Sequence, residues 1–400
     1  MKSKYSLTIK ATCVGYILQA IVNNLTPLLF VYFNLEYKIP TYLISIIITY
    51  NFALQILVDA FSAKITIKLG YRRVAILSAI FAGLGLIILG LTPYIFKTYM
   101  SIYIGIMIAV TFMAIGGGVT EVILSPIIEA IPEEQFKSQR MSLVHSFYCL
   151  GHILIVMCAI IFFVSFGIDN WMILSFILTI FPITMICFFI KCPIVAPIGD
   201  EKPVGRLKLF KSGTFIILFV LMICAGAQEQ SVAQWISFFA EKGLNIDKSL
   251  GDLIGGCSFA FCMFASRLYF SKMGKKPNML NVLLISSILL SFCFVISAIT
   301  QIKLLSLAIL SLSGVFVGIM WPGMYSLSSE IFPRGGTVMF SMLALGGDLG
   351  CTLGPTVVGA FAEIGNINVG ILSSIIFSLI MIICTIILLK SKRKKEIKIK

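Results

Sequence analysis

Four carboxylates stand inside long apolar stretches of the chain, where a charge is costly and so indicates function: Asp59, Glu121, Glu229 and Asp348. Glu121 follows Gly116-Gly117-Gly118, whose missing side chains permit a close helix contact or a local bend. A buried carboxyl group at this position is suited to bind and release a proton repeatedly. We therefore predict that Glu121 carries a proton, the alternative being a structural carboxyl group bonded to neighbouring helices. Asp348, within Gly346-Gly347-Asp348, is predicted to couple protons, to contact a solute or to bond another helix.

A polar stripe marks one of the later apolar runs. Gln228, Ser231 and Trp235 fall on one face of a helix, with Glu229 next to them in sequence. Amide and hydroxyl groups bond the hydroxyl groups of a polyol, and an aromatic ring stacks on a sugar ring. Gln228, Glu229 and Trp235 are therefore predicted to bind a small polar solute. Ordinary polarity near a membrane interface, where tryptophan is common, is the alternative.

Uncharged polar residues also recur at helical spacing near the N-terminus. Gln19 and Asn23 are four residues apart, as are Asn51 and Gln55, so each pair gives its helix one polar stripe. Such stripes either line a cavity or join neighbouring helices. His145 and His152 are the only histidines, and two imidazoles alone make a poor metal site. The eleven cysteines form no CxxC pair, so we expect no disulfide, metal or cofactor.

The composition predicts that membrane-spanning helices position these residues. The chain of 400 residues is 59% hydrophobic and 12% charged, so lipid rather than water must surround most of it. No polar stretch is long enough for a soluble domain. We predict an all-α membrane protein with spans near 7–33, 41–63, 74–96, 99–128, 141–166, 170–190, 212–240, 250–271, 279–300, 304–330, 336–362 and 369–390.

Basic residues indicate the orientation of the predicted spans. With the N-terminus inside, most Lys and Arg residues, Arg267 among them, fall at cytoplasmic ends, and both termini are cytoplasmic. The opposite face holds only Lys38, Lys97, Lys242, Lys248 and Lys303. The net charge of +14 is thus explained by anionic lipid headgroups, and no nucleic-acid partner is expected. We expect a multi-pass protein of the cell membrane that needs no partner subunit.

Short motifs recur at matching positions in the two halves of the chain. Lys68-Leu69-Gly70-Tyr71-Arg72-Arg73 follows the second span and Lys272-Met273-Gly274-Lys275-Lys276 the eighth. Glu129-Ala130-Ile131-Pro132 ends the fourth span and Glu330-Ile331-Phe332-Pro333 the tenth, so both glutamates are predicted structural corner residues. We predict a six-helix bundle over 1–190, a cytoplasmic linker over 191–211 and a second six-helix bundle with a basic tail over 212–400.

Two repeated six-helix halves resemble the major facilitator architecture, which implies alternating access to a solute. The loop after the second span is similar to that superfamily's signature loop: Gly70, Arg72 and Arg73 match, whereas Ile67 stands in place of the loop aspartate and Ala63 in place of its first glycine. We expect Lys64 and these arginines to hold an inner gate. Asp59 lies within reach of Lys64 or Arg72 and is predicted to form a gate ion pair.

A closer resemblance is to the fucose–proton symporter family. The segment from Gly118 to Pro126, which contains Glu121, is similar to that family's fourth-helix motif, and the segment from Leu143 to Gly151 is similar to its fifth helix. Asn23-Asn24-Leu25 also fits, whereas Pro27 and Tyr148 stand where that family has an aspartate and an asparagine. The resemblance implies a sugar–proton symporter. Its predicted solute contacts include Asn23, Asn24, His145 and Tyr148.

Taken together, these features predict a secondary transporter of a small polar solute, with a monosaccharide and proton coupling at Glu121 as the first hypothesis. An exporter of amphipathic molecules is the closest alternative, although it favours an apolar cavity. A membrane sensor that binds but does not transport is a further alternative. The chain has no GxxxxGK[ST] loop for ATP and no clustered nucleophile and base for an enzyme.

Overall fold

The computed structural model describes residues 4–132, 136–197, 200–201, 204–246, 251–273 and 278–399. Within these ranges the regular secondary structure is entirely helical. Among the described residues, eleven helices are long and apolar enough to cross a membrane, and the helix Thr41–Leu69 occupies the position of the remaining predicted span. The predicted all-α membrane fold with twelve spans is confirmed.

Two compact units divide the chain. The first contains Met1–Pro132 and Phe147–Asp200, and the second contains Glu133–Ser146 and Glu201–Lys400. The division after Asp200 falls inside the segment predicted as a linker. The first turns of the fifth helix belong to the second unit, whereas the bundle over 1–190 was predicted to contain that whole helix.

The helices that begin in the first half of the chain are numbered in order. They are α1 (Ser6–Leu35), α2 (Thr41–Leu69), α3 (Tyr71–Ile95), α4 (Tyr99–Glu129), α5 (Lys137–Phe166) and α6 (Ile168–Lys191). Pro27 lies near the end of the first segment of α1, which stops at Leu28 before a second segment, Phe30–Leu35. Thr98 begins α4 with a capping box that it shares with Ser101.

The second half continues the same pattern. Its helices are α7 (Gly213–Glu241), α8 (Leu253–Ser271), α9 (Met279–Ile299), α10 (Lys303–Ile331), α11 (Gly336–Ile364) and α12 (Ile367–Ser391). A short helix, Arg206–Phe210, precedes α7, and the α12 helix continues to Ile399.

Matching helices pack in matching pairs within the two units, as a duplicated chain requires. The second helix of each half packs on the fourth, the third on the sixth, and the first on the sixth. The corner motifs also correspond, because α4 ends at Glu129 and α10 ends at Ile331. Gly274, Lys275 and Lys276 of the repeated loop lie outside the described residues.

Small residues set the distance between α7 and α11. A Cβ added at Gly350 would meet the main chain at Ile223 and Ala227, and one at Gly354 would meet Ala227 O and the Ser231 hydroxyl. No side chain of α11 therefore separates the two helices at Gly350 and Gly354. The two backbones approach closely, so van der Waals contacts extend along both helices. Such contacts drive helix association in a membrane, where the hydrophobic effect does not act between helices.

We expect Gly350→Ala to destabilise the second unit, because its Cβ has to displace main-chain atoms of α7. The expected loss is about 1–3 kcal/mol in the free energy of unfolding, measured by denaturant titration in detergent. Gly213→Ala is the matched control, since nothing lies within 4 Å of the Cβ it would add. Equal stability of the two variants would contradict the packing role.

Candidate functional site

Two hydrogen-bonded pairs of side chains, one of which contains Glu121, join α1 to α4 in the first unit. We define the Glu121 cluster as Tyr16 and Gln19 of α1 with Glu121 and Ser125 of α4. Gln19 Nε2 donates to Glu121 Oε2, and the Tyr16 and Ser125 hydroxyl oxygens lie 2.8 Å apart. Glu121 is 6% exposed and Gln19 3%, so the carboxyl group meets another polar side chain inside the bundle.

The three glycines before Glu121 make this arrangement possible. Gly116 faces the α3 main chain near Ser78 and Ala82, Gly117 faces Val22 and Asn23 of α1, and Gly118 faces Val58 and Gln55 of α2. The predicted close approach at these glycines is confirmed. As a result, α4 contacts three helices over a single turn and carries Glu121 into the space between them.

The polar stripes of α1 and α2 meet beside the Glu121 cluster. Gln55 Nε2 donates to Asn23 Oδ1 at 3.1 Å, so Asn23 joins α1 to α2, and Asn24 Nδ2 donates to Ala20 O at 2.7 Å within α1. Gln19 Oε1 is buried and accepts no hydrogen bond from the described residues. This oxygen is an acceptor that a bound hydroxyl group can satisfy.

The second unit contains a buried ion pair. Glu229 Oε2 of α7 accepts from Arg267 Nη2 of α8 at 3.1 Å, and the side chains are 9% and 2% exposed. Arg267 Nε also donates to Gly318 O at 2.6 Å, and Nη1 donates to His145 O at 3.0 Å. The Arg267 side chain thus joins α5, α7, α8 and α10 inside the second unit.

The expectation that lipid headgroups stabilise the charge of Arg267 was wrong. Its side chain is buried in protein, because the ion pair with Glu229 and two carbonyl oxygens replace the hydration it loses. One signal in the sequence pointed to this. Arg267 is flanked by Phe264-Ala265 and by Leu268-Tyr269-Phe270, so it interrupts an apolar run instead of ending one.

His145 belongs to an aromatic group in the second unit. Its ring centroid lies 5.6 Å from that of Tyr325, which also neighbours Phe340 at 5.2 Å and Trp321 at 6.5 Å. The Ser142 hydroxyl donates to Arg267 O at 2.7 Å, which adds a further bond between α5 and α8. Tyr148, one turn further along α5, is half-buried and belongs to the first unit.

The polar stripe of α7 faces its neighbouring helices. Gln228 Oε1 accepts from the Ser378 hydroxyl of α12 at 2.9 Å, and Trp235 Nε1 donates to Pro355 O of α11 at 3.0 Å. Glu229 points elsewhere, to Arg267. The structure therefore separates Glu229 from Gln228 and Trp235, although they are close in sequence. Asp348 of α11 is 4% exposed.

The predicted gate residues lie on α2, on α3 and in the turn between these helices. Gly70 has φ +85°, a conformation that favours glycine, and the Arg72 guanidinium donates to the carbonyl oxygens of Phe189, Ile190 and Cys192. Arg72 thereby caps the C-terminal end of α6, where a cation is favourable. Asp59 is fully buried, whereas Lys64 and Arg73 are exposed. The Asp59 ion pair with Lys64 or Arg72 stays a prediction.

The Cys192 thiol lies beside Arg72 at the end of α6. Burial raises the pKa of the Cys192 thiol, and the nearby Arg72 charge acts in the opposite direction. Across the part of the chain that the structure describes, no three His, Cys, Asp or Glu side chains could hold a metal ion together.

Membrane-length helices in two similarly packed units, each with a buried carboxylate, characterise a polytopic membrane protein. The family model described as Major Facilitator Superfamily matches residues 12–342 and 280–400, and the chain belongs to that family. The predicted major facilitator fold is confirmed.

Solved structures agree with this assignment. A variant of the E. coli fucose:proton symporter FucP has a TM-score of 0.78 and 16% identity, over 96% of this chain and 98% of its own. The proton:xylose symporter XylE has a TM-score of 0.74 and 16% identity, and the match covers 98% of this chain and 96% of the XylE chain. The human organic anion transporter TETRAN has a TM-score of 0.72 and 14% identity, and the match covers 95% of this chain and 99% of the TETRAN chain. No curated protein sequence matches the chain significantly.

We expect Arg267→Gln to be strongly destabilising, because it removes three hydrogen bonds and leaves Glu229 buried without its cation. The expected cost is about 3–5 kcal/mol, measured by unfolding in detergent. Adding Glu229→Gln to this variant removes the uncompensated carboxylate and should recover most of the loss. Additive effects of the two substitutions would show that the pair is not coupled.

Proposed function

We propose that the protein is a secondary active transporter of a small polar solute, with a monosaccharide as the first candidate, and that Glu121 carries the coupling proton. The observation that carries this proposal is the bond between Gln19 and Glu121 inside the first unit, with Gln19 Oε1 left over as an acceptor. Major facilitator membership supports transport itself, and the buried carboxyl group supports proton coupling.

Gln19 suits a carboxyl group that changes its protonation state. A glutamine amide has two N–H donors and a carbonyl acceptor, so it can donate to a carboxylate or, after rotation of the amide, accept from a carboxylic acid. Both states of Glu121 then have a partner without moving a helix. Protonation would turn the Gln19 carbonyl oxygen toward Glu121 and change which group is offered to a solute, which couples the two binding events.

The solute contacts in this proposal begin with α1. Gln19 Oε1, Asn23 and Asn24 offer amide groups within two turns, and amides bond the hydroxyl groups of a sugar. His145, Tyr148, Gln228, Glu229 and Trp235 remain proposed contacts from the sequence. The Trp235 N–H is already bonded to Pro355 O, so Trp235 would contribute its ring face. Asp348 remains the second proposed coupling residue.

The comparisons support the same reading. FucP is a fucose:proton symporter and XylE a proton:xylose symporter, and both share the fold of this chain over nearly its whole length. The distribution of basic residues further supports both termini on the cytoplasmic side of the cell membrane. Asp59, Lys64, Gly70, Arg72 and Arg73 are proposed to form the inner gate.

A screen in proteoliposomes tests the proposed function. Monosaccharides are added one at a time to vesicles that contain the purified protein, and the external pH is recorded. Proton symport predicts external alkalinisation with one class of sugars and none in protein-free vesicles. If no sugar changes the external pH and the protein binds amphipathic cations, an exporter is favoured instead.

We expect Glu121→Gln to abolish uptake driven by a proton gradient, because an amide carries no exchangeable coupling proton. Counterflow exchange, which moves solute without net proton movement, should persist at least in part. The matched control is Glu36→Gln, which neutralises an exposed carboxylate just beyond α1. Gradient-driven uptake by Glu121→Gln at the rate of the control would exclude Glu121 as the proton carrier.

A further inference from the structure

The short helix Arg206–Phe210, which we call the linker helix, has one face that the rest of the second unit does not cover. Its buried residue is Leu209, whereas Leu207 is 82% exposed and Lys208 is exposed as well. The Lys211 N–H donates to Leu207 O at 3.1 Å, so one helical turn separates these two residues and their side chains share a face. An exposed apolar side chain therefore lies beside two exposed cations.

Aromatic contacts hold the linker helix beside the start of α7. The Phe210 ring centroid lies 5.3 Å from that of Phe215 and 5.1 Å from that of Phe219, and both ring pairs meet edge to face. Since α7 begins at Gly213, Phe219 lies about 9 Å along it. The linker helix also packs against α11. It therefore lies alongside the first turns of α7 and not beyond the end of that helix.

The first turns of α7 lie at the level of the lipid headgroups. The helix contains 29 residues, which is about 43 Å at 1.5 Å per residue, whereas the hydrocarbon core of a bilayer is about 30 Å thick. The ends of α7 therefore extend into the headgroup layers. A helix that lies at this depth places its apolar side chains at the boundary between headgroups and acyl chains. Leu207 is thus at a depth where an acyl chain can cover it.

The charges of this segment all have one sign. Arg206, Lys208 and Lys211 follow one another closely, and the sequence has no Asp or Glu between Glu201 and Glu229. Lys and Arg residues beside a membrane attract anionic lipid headgroups, which compensate their charge. The linker helix therefore combines the two features that bind a phospholipid, a cationic surface and an apolar side chain at the membrane interface.

We propose that the linker helix is a binding site for an anionic phospholipid. The ammonium groups of Lys208 and Lys211 pair with the lipid phosphate, and Leu207 packs against an acyl chain. Because Phe210 holds the linker helix against α7, the bound lipid stabilises the segment between the two halves of the chain in this position. The site does not involve the solute or the coupling ion, so it goes beyond the proposed function.

The exposed leucine distinguishes a phospholipid from a soluble anion. A phosphate ion can neutralise Lys208 and Lys211, but it leaves Leu207 in contact with water. A phospholipid satisfies the cations and also removes the leucine side chain from water, which is favourable. The combination of charge and apolar exposure therefore favours the membrane as the source of the anion.

Fluorescence quenching by brominated lipids tests the site in the full chain, reconstituted in vesicles. Leu207→Trp introduces an indole, and the signal of the parent chain, which has three tryptophans, is subtracted. The vesicles contain phosphatidylcholine with increasing fractions of brominated phosphatidylglycerol or, in parallel, of brominated phosphatidylcholine. Half-maximal quenching is expected at a mole fraction lower by at least about fivefold for phosphatidylglycerol, which corresponds to the attraction of a single Lys or Arg near an anionic surface.

Val164→Trp is the matched control for access of lipid to an indole. Val164 lies near the end of α5 and is 83% exposed, as Leu207 is 82% exposed. The sequence around it has no Lys or Arg between Arg140 and Lys191. The two brominated lipids should therefore quench this indole at mole fractions that agree within about twofold.

Charge variants in the Leu207→Trp background locate the headgroup. Arg206→Gln/Lys208→Gln/Lys211→Gln removes the cations and should bring the half-maximal mole fractions of the two lipids within about twofold of each other. Leu207 itself is unchanged in its surroundings otherwise, so quenching by brominated phosphatidylcholine should persist.

A second triple variant tests whether the attraction is local. Lys68→Gln/Lys191→Gln/Lys272→Gln removes three exposed lysines at the ends of other helices. An even number of spans precedes each of them and the linker helix, so all lie on the same side of the membrane. This variant should keep the preference for phosphatidylglycerol. An equal loss of preference in both triple variants would show diffuse attraction by the whole surface and overturn the site.

Further outcomes decide between a lipid and other occupants. If the indole of Leu207→Trp is not quenched, or if both lipids quench it equally, the linker helix does not bind an anionic lipid and the inference is wrong. Inorganic phosphate should leave the preference unchanged relative to chloride at the same ionic strength. A preference that phosphate removes and chloride does not would identify a soluble anion as the ligand and also overturn the inference.

Thermal unfolding of the unsubstituted chain in detergent is a measurement that needs no probe. A ligand that binds the folded state raises the unfolding temperature. Added phosphatidylglycerol is expected to raise this temperature more than phosphatidylcholine does, and Arg206→Gln/Lys208→Gln/Lys211→Gln is expected to remove the difference. A difference that persists in this variant would place the anionic lipid elsewhere on the protein and contradict the proposed site.

Discussion

Hydrocarbon offers no hydrogen-bond partner to a polar group, and this constraint governs both the backbone and the side chains of the protein. The backbone meets it by forming helices over nearly all of the described residues. Side chains meet it by bonding one another across helix contacts, as Gln19 does with Glu121 and Arg267 does with Glu229.

The same constraint explains why small residues accompany the polar ones. A carboxyl group can reach a partner on another helix only where the two backbones approach closely. Gly117 provides this approach beside Glu121, because it faces Val22 and Asn23 of α1. This glycine of α4 therefore contributes to the site as well as to packing, because it lets Glu121 reach Gln19 of α1.

The two units have matching helix pairs, but their buried carboxyl groups have different partners. In the first unit the buried carboxyl group meets a neutral amide, so it can change charge with little electrostatic cost to its partner. In the second unit the carboxyl group meets a guanidinium and forms an ion pair with it. The same helix pairs thus occur in both units, whereas the partner of the buried carboxyl group differs.

The sequence by itself determined that the chain is a membrane protein, that it is all-helical and where its spans lie. These follow from composition and from apolar length, which act along the chain and need no knowledge of distant contacts. It also singled out Glu121 through the glycines beside it. Only the tertiary structure paired Glu229 with Arg267 and turned Gln228 toward Ser378, because residues adjacent in sequence point to different helices. Which face of a helix meets which neighbour is decided by packing in three dimensions, and apolar membrane helices carry almost no pattern that reveals it.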